Sequence, residues 1–217
     1  MKQYTLPIKH NIHYNPHDFI FSSCNNSLKS IIEHFPEQYG VKPYPNILMI
    51  EGPHKSGKTH FLYLFQSISQ GKFIEPDSDI ARVKEKYLIL DNINSDWREE
   101  DLLHLFNYIN ENDKIGLFAC QNYHEFKLPD LSSRLHSIKK ANISEPDDFM
   151  LKTLLTKHLT ERSLSVSDEV INFLITRIPR NFESIFKVID LIDQFSLEQK
   201  RNITVSFLSS ISLNSLV

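Results

Sequence analysis

Eight consecutive residues, Gly52-Pro53-His54-Lys55-Ser56-Gly57-Lys58-Thr59, satisfy the pattern G-x-x-x-x-G-K-[ST] at every fixed position. The spacing has a physical reason. Two glycines let the backbone wrap closely enough for its N–H groups to face phosphate oxygens. A lysine directly after the second glycine reaches the β- and γ-phosphates of a nucleotide, and the next hydroxyl, here Thr59, suits Mg²⁺. The flanks agree. ILMIE (47–51) is an unbroken apolar run, expected as a strand buried on both faces. Residues 57–70, with His60 in the first turn, are expected as a helix ending at Gly71. A helix N-terminus there would turn its dipole on the same anion. An ordinary strand–loop–helix turn shares the context, but has no need of Lys and Thr at these positions.

Such a loop requires a carboxylate at the end of a nearby strand. Asp91 closes the run YLIL and is expected to hold Mg²⁺ together with Thr59. Taken alone, Asp91 reads equally well as a strand-ending turn residue. Asn92 follows it, and an amide orients a water without being able to take its proton as a carboxylate does. The expectation is a site that binds ADP or ATP with Mg²⁺ and is at most a weak ATPase by itself.

Elements of known type must position these residues. Apolar runs at 47–51, 86–93 and 115–120 are expected as buried strands, with SIKKANI (137–143) as a fourth strand and a shorter one near 72–75. Helices are expected over 27–39, 57–70 and 99–112. Strands alternating with helices predict a parallel α/β sheet with crossover helices. Past Glu145 the pattern is helical only, over 147–162, 168–177 and 181–195, with 202–211 as a short closing element. Ser144 with Asp147 and Ser167 with Asp168 are candidate caps. The expected division is an arm over 1–17, a nucleotide-binding core over 18–144 and a small all-helical domain over 145–217.

Composition sets the class. The chain has 217 residues, 41% hydrophobic and 24% charged, which excludes whole-chain disorder and a disulfide scaffold. Lys and Arg total 24 against 27 Asp and Glu, a net charge of −3, so a chain-wide grip on nucleic acid is not expected. No apolar run is long enough for a membrane span or a signal peptide. Cys24 and Cys120 are the only cysteines. A reduced, cytoplasmic protein is expected. His10, His13 and His17 lack the acidic or thiol companions of a metal site.

EGPHKSGKTH (51–60), LILDNI (88–93) and LPDLSSRL (128–135) occur in the order and spacing of the AAA+ ATPases of the DnaA clade, and the helical segment after them resembles the AAA+ lid. DFIFSSCN (18–25) looks like the segment that enters this core beside the adenine pocket. The fold implied is an AAA+ P-loop NTPase core with a parallel sheet, followed by a helical lid. Within the clade the chain is most similar to the Hda branch. The Asp91-Asn92 pair matches that branch, where initiators typically carry two acids. The chain ends at Val217, with no room for the initiator's DNA-binding domain, so no direct sequence-specific DNA contact is expected. Gln3-Tyr4-Thr5-Leu6-Pro7-Ile8 resembles the branch's clamp-binding peptide. In such a peptide Leu6 and Ile8 supply apolar groups, Pro7 stiffens the backbone and Gln3 bonds at the pocket rim.

This resemblance implies two partners, the DnaA initiator and the DNA-polymerase sliding clamp, with self-association left open. It implies that Arg134 acts as an arginine finger in trans, promoting hydrolysis of DnaA-bound ATP. Gln121 or Asn122 falls at the strand-end sensor. The lid's sensor Arg falls on Glu183, and Arg180, one turn earlier, is the nearest substitute. The stretch 60–86 is short for the clade and leaves little room for a helix after the 72–75 segment. A self-contained P-loop motor and a degenerate nucleotide-binding adaptor are the alternatives to a regulator.

Overall fold

A computed structural model describes residues 14–37, 44, 46–93, 97–121, 126–199 and 203–210. Among these, the chain divides into two compact units. One comprises 14–21 and 25–144; the other comprises 22–24 and the residues from 145 onward.

The first unit opens with α1 (Asn26–His34), shorter than the expected 27–39. Phe35 is extended (φ −77°, ψ 134°), as the residue before a proline tends to be, and Pro36 follows it. Next come β1 (Ile47–Glu51), α2 (Lys58–Ser69), β2 (Lys72–Phe73), β3 (Tyr87–Leu90), α3 (Glu99–Glu111), β4 (Ile115–Cys120), α4 (Pro129–Ser137) and β5 (Lys139–Asn142). The five strands form one sheet in the order β2-β3-β4-β1-β5, every pair parallel. Glu51 stands in register with Cys120 on one side and Asn142 on the other.

Residues 47–50 have no exposed surface, and all six residues of β4 are buried. That is why these runs are continuously apolar rather than alternating. Ile47, Met49, Leu88, Leu90 and Phe118 join Leu102, Leu105, Phe106 and Ile109 of α3 and Leu131 and Leu135 of α4 in one core. The alternate strand residues turn to the other face. There α1 and α2 approach β3, β4 and β5, burying Leu28, Ile31, Phe61, Leu62 and Phe65.

Between β2 and β3 the chain forms only a 3-10 turn, Ile80–Arg82, in keeping with the short stretch in the sequence. The ammonium of Lys114 ties this connection down, donating to the carbonyls of Val83, Lys84 and Glu85 at 3.2, 3.1 and 3.0 Å.

The second unit consists of α5 (Asp148–Glu161), α6 (Asp168–Ile175), α7 (Phe182–Gln199) and α8 (Val205–Ser210). The closing element of the sequence is thus a fourth helix. α5 packs on α6 and α7, and α6 on α8. Asp147 caps α5 by accepting from the Met150 N–H at 2.7 Å, and Ser167 caps α6. Ser23 and the Cys24 N–H also donate to Asp147. Among the described residues no helix is long and apolar enough to cross a membrane.

Candidate functional site

β1 delivers the phosphate loop at the carboxyl end of the sheet, where ligands of open α/β folds gather. Gly52 is obligatory by contact: a Cβ there would stand 2.8 Å from Ile143 Cβ and 3.0 Å from Ser56 Oγ. Gly57 has φ +90°, a backbone region that L side chains avoid, and it forms the N-cap of α2. Lys55 also has a positive φ, 62°. His54 and Lys55 are exposed and Pro53 is half-buried. Ser56 is 5% exposed, and its Oγ makes no hydrogen bond among the described residues. A buried hydroxyl inside a glycine-lined turn, beside the N–H groups opening a 12-residue helix, is the donor set a phosphate group needs.

Lys58 Nζ curls over the loop and donates to the carbonyls of Gly52 and Pro53 at 2.8 and 2.7 Å. Burial pushes its ammonium pKa down, and the charge of Asp91 works against that. Thr59 Oγ1 donates to Asp91 Oδ2 at 2.5 Å, which joins the loop to the end of β3. Among the described residues no three His, Cys, Asp or Glu side chains gather as a metal cage. One hydroxyl and one carboxylate are instead what Mg²⁺ takes from a protein when phosphates and waters fill its other positions. The residues present therefore fit a nucleotide with Mg²⁺.

Asn92 is exposed and left-handed, with φ 49°. Asn tolerates that backbone region better than most residues do. Gln121 is exposed at the end of β4. Asn122 and the peptide residues Gln3, Leu6, Pro7 and Ile8 lie outside the described residues.

The segment 14–21 forms a strap on α2. Tyr14 stacks on Tyr63 with ring centres 4.8 Å apart and planes 14° from parallel. His60 Nε2 is 2.7 Å from the Asn15 carbonyl. Phe19 meets His60 and Phe61 edge-on and lies 3.6 Å from where a Gly57 Cβ would be. Burial, and next the charge of Asp91, push the Tyr14 phenol up. The sequence placed 18–25, with Phe19, at the entry to this core, whereas Tyr14 and its stacking on α2 escaped sequence reading. The clue was Tyr14 through Phe21 standing in an otherwise polar stretch.

Glu51 was missed as well. It forms an ion pair with Lys140 of β5 at 2.7 Å, both half-buried. Beside it Cys120 is buried, and that burial pushes its thiol up to about 12. Cys120 is therefore a packing residue and not a nucleophile.

Arg134 lies on α4, a helix not expected from the sequence. Its signals were Pro129 in the first turn, Asp130 after it, and Leu131 and Leu135 one turn apart. In the second unit Arg180 precedes α7 and pairs with Asp148 at 2.8 Å, both well exposed. Glu183 pairs with Lys187 at 3.0 Å.

Residues 148–211 match a family model described as the lid domain of Hda. An uncharacterised protein of Haemophilus influenzae is 29% identical, the match covering 75% of this chain and 79% of that protein. Among solved structures, domain III of the Thermotoga maritima replication initiation protein DnaA superposes with a TM-score of 0.67 at 17% identity, over 94% of this chain and 95% of that one. AMPPCP-bound DnaA from Aquifex aeolicus gives 0.62 at 20% identity, over 86% of this chain and 66% of that one. The Thermotoga maritima Holliday junction branch migration motor RuvB gives 0.60 at 14% identity, over 86% of this chain and 66% of that one. The chain thus spans about two thirds of the longer DnaA structure it matches. It shares the fold of the DnaA structures, and its residues 148–211 are similar to the lid domain of Hda.

Proposed function

We propose that this chain is a nucleotide-binding regulator of replication initiation, whose partner is the initiator DnaA. The observation that carries the reading is an Hda-type lid at 148–211 following a formed phosphate loop. In this reading the backbone of Gly52–Thr59 (the segment Pro53, His54, Lys55, Ser56) and the Lys58 ammonium hold the phosphates of ADP or ATP. Thr59 and Asp91 hold Mg²⁺, which supplies charge neutralisation to the phosphates when bound. His60 and the strap residues Tyr14 and Phe19 pack the helix behind the loop. Asn92 keeps the chain's own turnover slow, because an exposed amide offers no proton acceptor.

Residues Gln3, Leu6, Pro7 and Ile8 dock the protein on the DNA-polymerase sliding clamp. Arg134 is then presented to ATP held by DnaA. Attack of water on the γ-phosphorus breaks its bond to the β-phosphate oxygen, and charge develops on the oxygens around the transferred group. A guanidinium stabilises that charge with a planar, permanently ionised fork. The site of action is the cytoplasm.

The experiment is phosphate release by the purified chain alone, then with ATP-loaded DnaA and clamp loaded on DNA. The expected result is slow release alone and faster conversion of ATP on DnaA when all components are present. Rapid release by the chain alone would identify a self-contained ATPase instead.

A further inference from the structure

Arg134 is already engaged within its own chain. Its Nε and Nη2 both donate to the carboxylate of Asp130, one turn earlier on α4, at 3.1 and 2.9 Å. Its Nη1 donates to Asn107 Oδ1 on α3 at 2.5 Å, and the guanidinium carbon is 5.8 Å from the centre of the Tyr44 ring. The Arg134 side chain is 18% exposed and that of Asp130 is 59% exposed, so the carboxylate is the partner nearer solvent.

Charge decides what this arrangement does. A two-pronged Arg–carboxylate pair is close to neutral and projects little field toward a phosphate. A phosphate that came to Arg134 would also meet the negative charge of Asp130, and like charges brought together oppose binding. The hold is nonetheless weak, because an i,i+4 ion pair at a helix surface is easily exchanged.

We propose that Asp130 competes internally for Arg134. It holds the guanidinium in cis, and Arg134 reaches a partner's nucleotide only when this pair opens. This rests on the reading of Arg134 as a trans-acting finger, and it makes α4 a point of control as well as of catalysis.

The test uses the full chain with labelled ATP-loaded DnaA and loaded clamp, at limiting concentrations of the chain. Asp130→Asn and Asp130→Ser are compared with wild type, Arg134→Ala and the double variant Asp130→Asn/Arg134→Ala, each checked for folding by its melting temperature. Two neutral replacements guard against one of them misfolding. The expected result is ATP conversion about two- to fivefold faster than wild type for the Asp130 variants, falling in the double variant to the level of Arg134→Ala. If Arg134→Ala abolishes stimulation while both Asp130 variants match or trail wild type, the finger stands and the internal competitor is overturned. If Arg134→Ala stimulates as well as wild type, the finger reading fails and the competitor falls with it.

Discussion

At the scale of single residues, the phosphate loop was legible because its chemistry is local. The side-chain hydrogen bonds of Lys58 and Thr59 in this loop go to residues 52–53 and to one carboxylate, Asp91. Replacing Lys58 with Ala removes the charged donor to the phosphates. Charge-assisted hydrogen bonds contribute about 1.5–3 kcal/mol, so ADP affinity measured by calorimetry should fall roughly 10- to 100-fold. Gly52→Ala forces a methyl group to within 2.8 Å of Ile143 Cβ. It should lower stability by about 1–3 kcal/mol and weaken ADP binding in the same titration, whereas an unchanged melting curve would mean that β1 and Ile143 separate at no cost. The companions of Arg134 were not legible. Asn107 comes from another helix and Tyr44 from much earlier in the chain, so no spacing rule connects them.

At the scale of elements, β1 and β4 were readable because burial on both faces makes them unbroken apolar runs. The ends of α1 and the existence of α4 were harder. Both turn on proline, which stops α1 at Pro36 and starts α4 at Pro129. The start of α5 is a cap with a measurable signature. Burial tends to raise the Asp147 pKa, but hydrogen bonds from Ser23, the Met150 N–H and the Cys24 N–H outweigh it and hold the carboxyl down at about 2. A folded-state value below the unfolded one gives stability that is present above about pH 4 and lost as the pH falls toward 2. Asp147 is half-buried, so screening by solvent reduces the full linkage value. Asp147→Ala should therefore cost about 1 kcal/mol at pH 7 and almost nothing at pH 2, read from denaturant titrations at the two pH values. Equal losses at both would mean that the cap is not ionic. The proposed clamp docking is tested separately. Leu6→Ala with Ile8→Ala should abolish binding to the sliding clamp while leaving ADP affinity unchanged, because neither side chain belongs to the phosphate loop.

At the scale of the whole molecule, a core with the DnaA fold and an Hda-type lid belong to one chain. Its chemistry is uneven. The loop motif at 52–59 is complete, whereas the position after Asp91 is an amide in a left-handed turn, and Glu183, where the family resemblance would place a lid arginine with Arg180 the nearest substitute, pairs with Lys187. In the proposed function such a protein holds a nucleotide rather than consuming it, and its catalytic effect falls on another protein's ATP. The most direct measurement is single-turnover conversion of radiolabelled ATP to ADP on DnaA, with clamp loaded on DNA, comparing wild type with Arg134→Ala. Wild type should accelerate conversion. Arg134→Ala should bind ADP and the clamp as tightly as wild type yet leave conversion at the rate of DnaA alone. Equal acceleration by the two proteins would contradict the regulator mechanism at its centre.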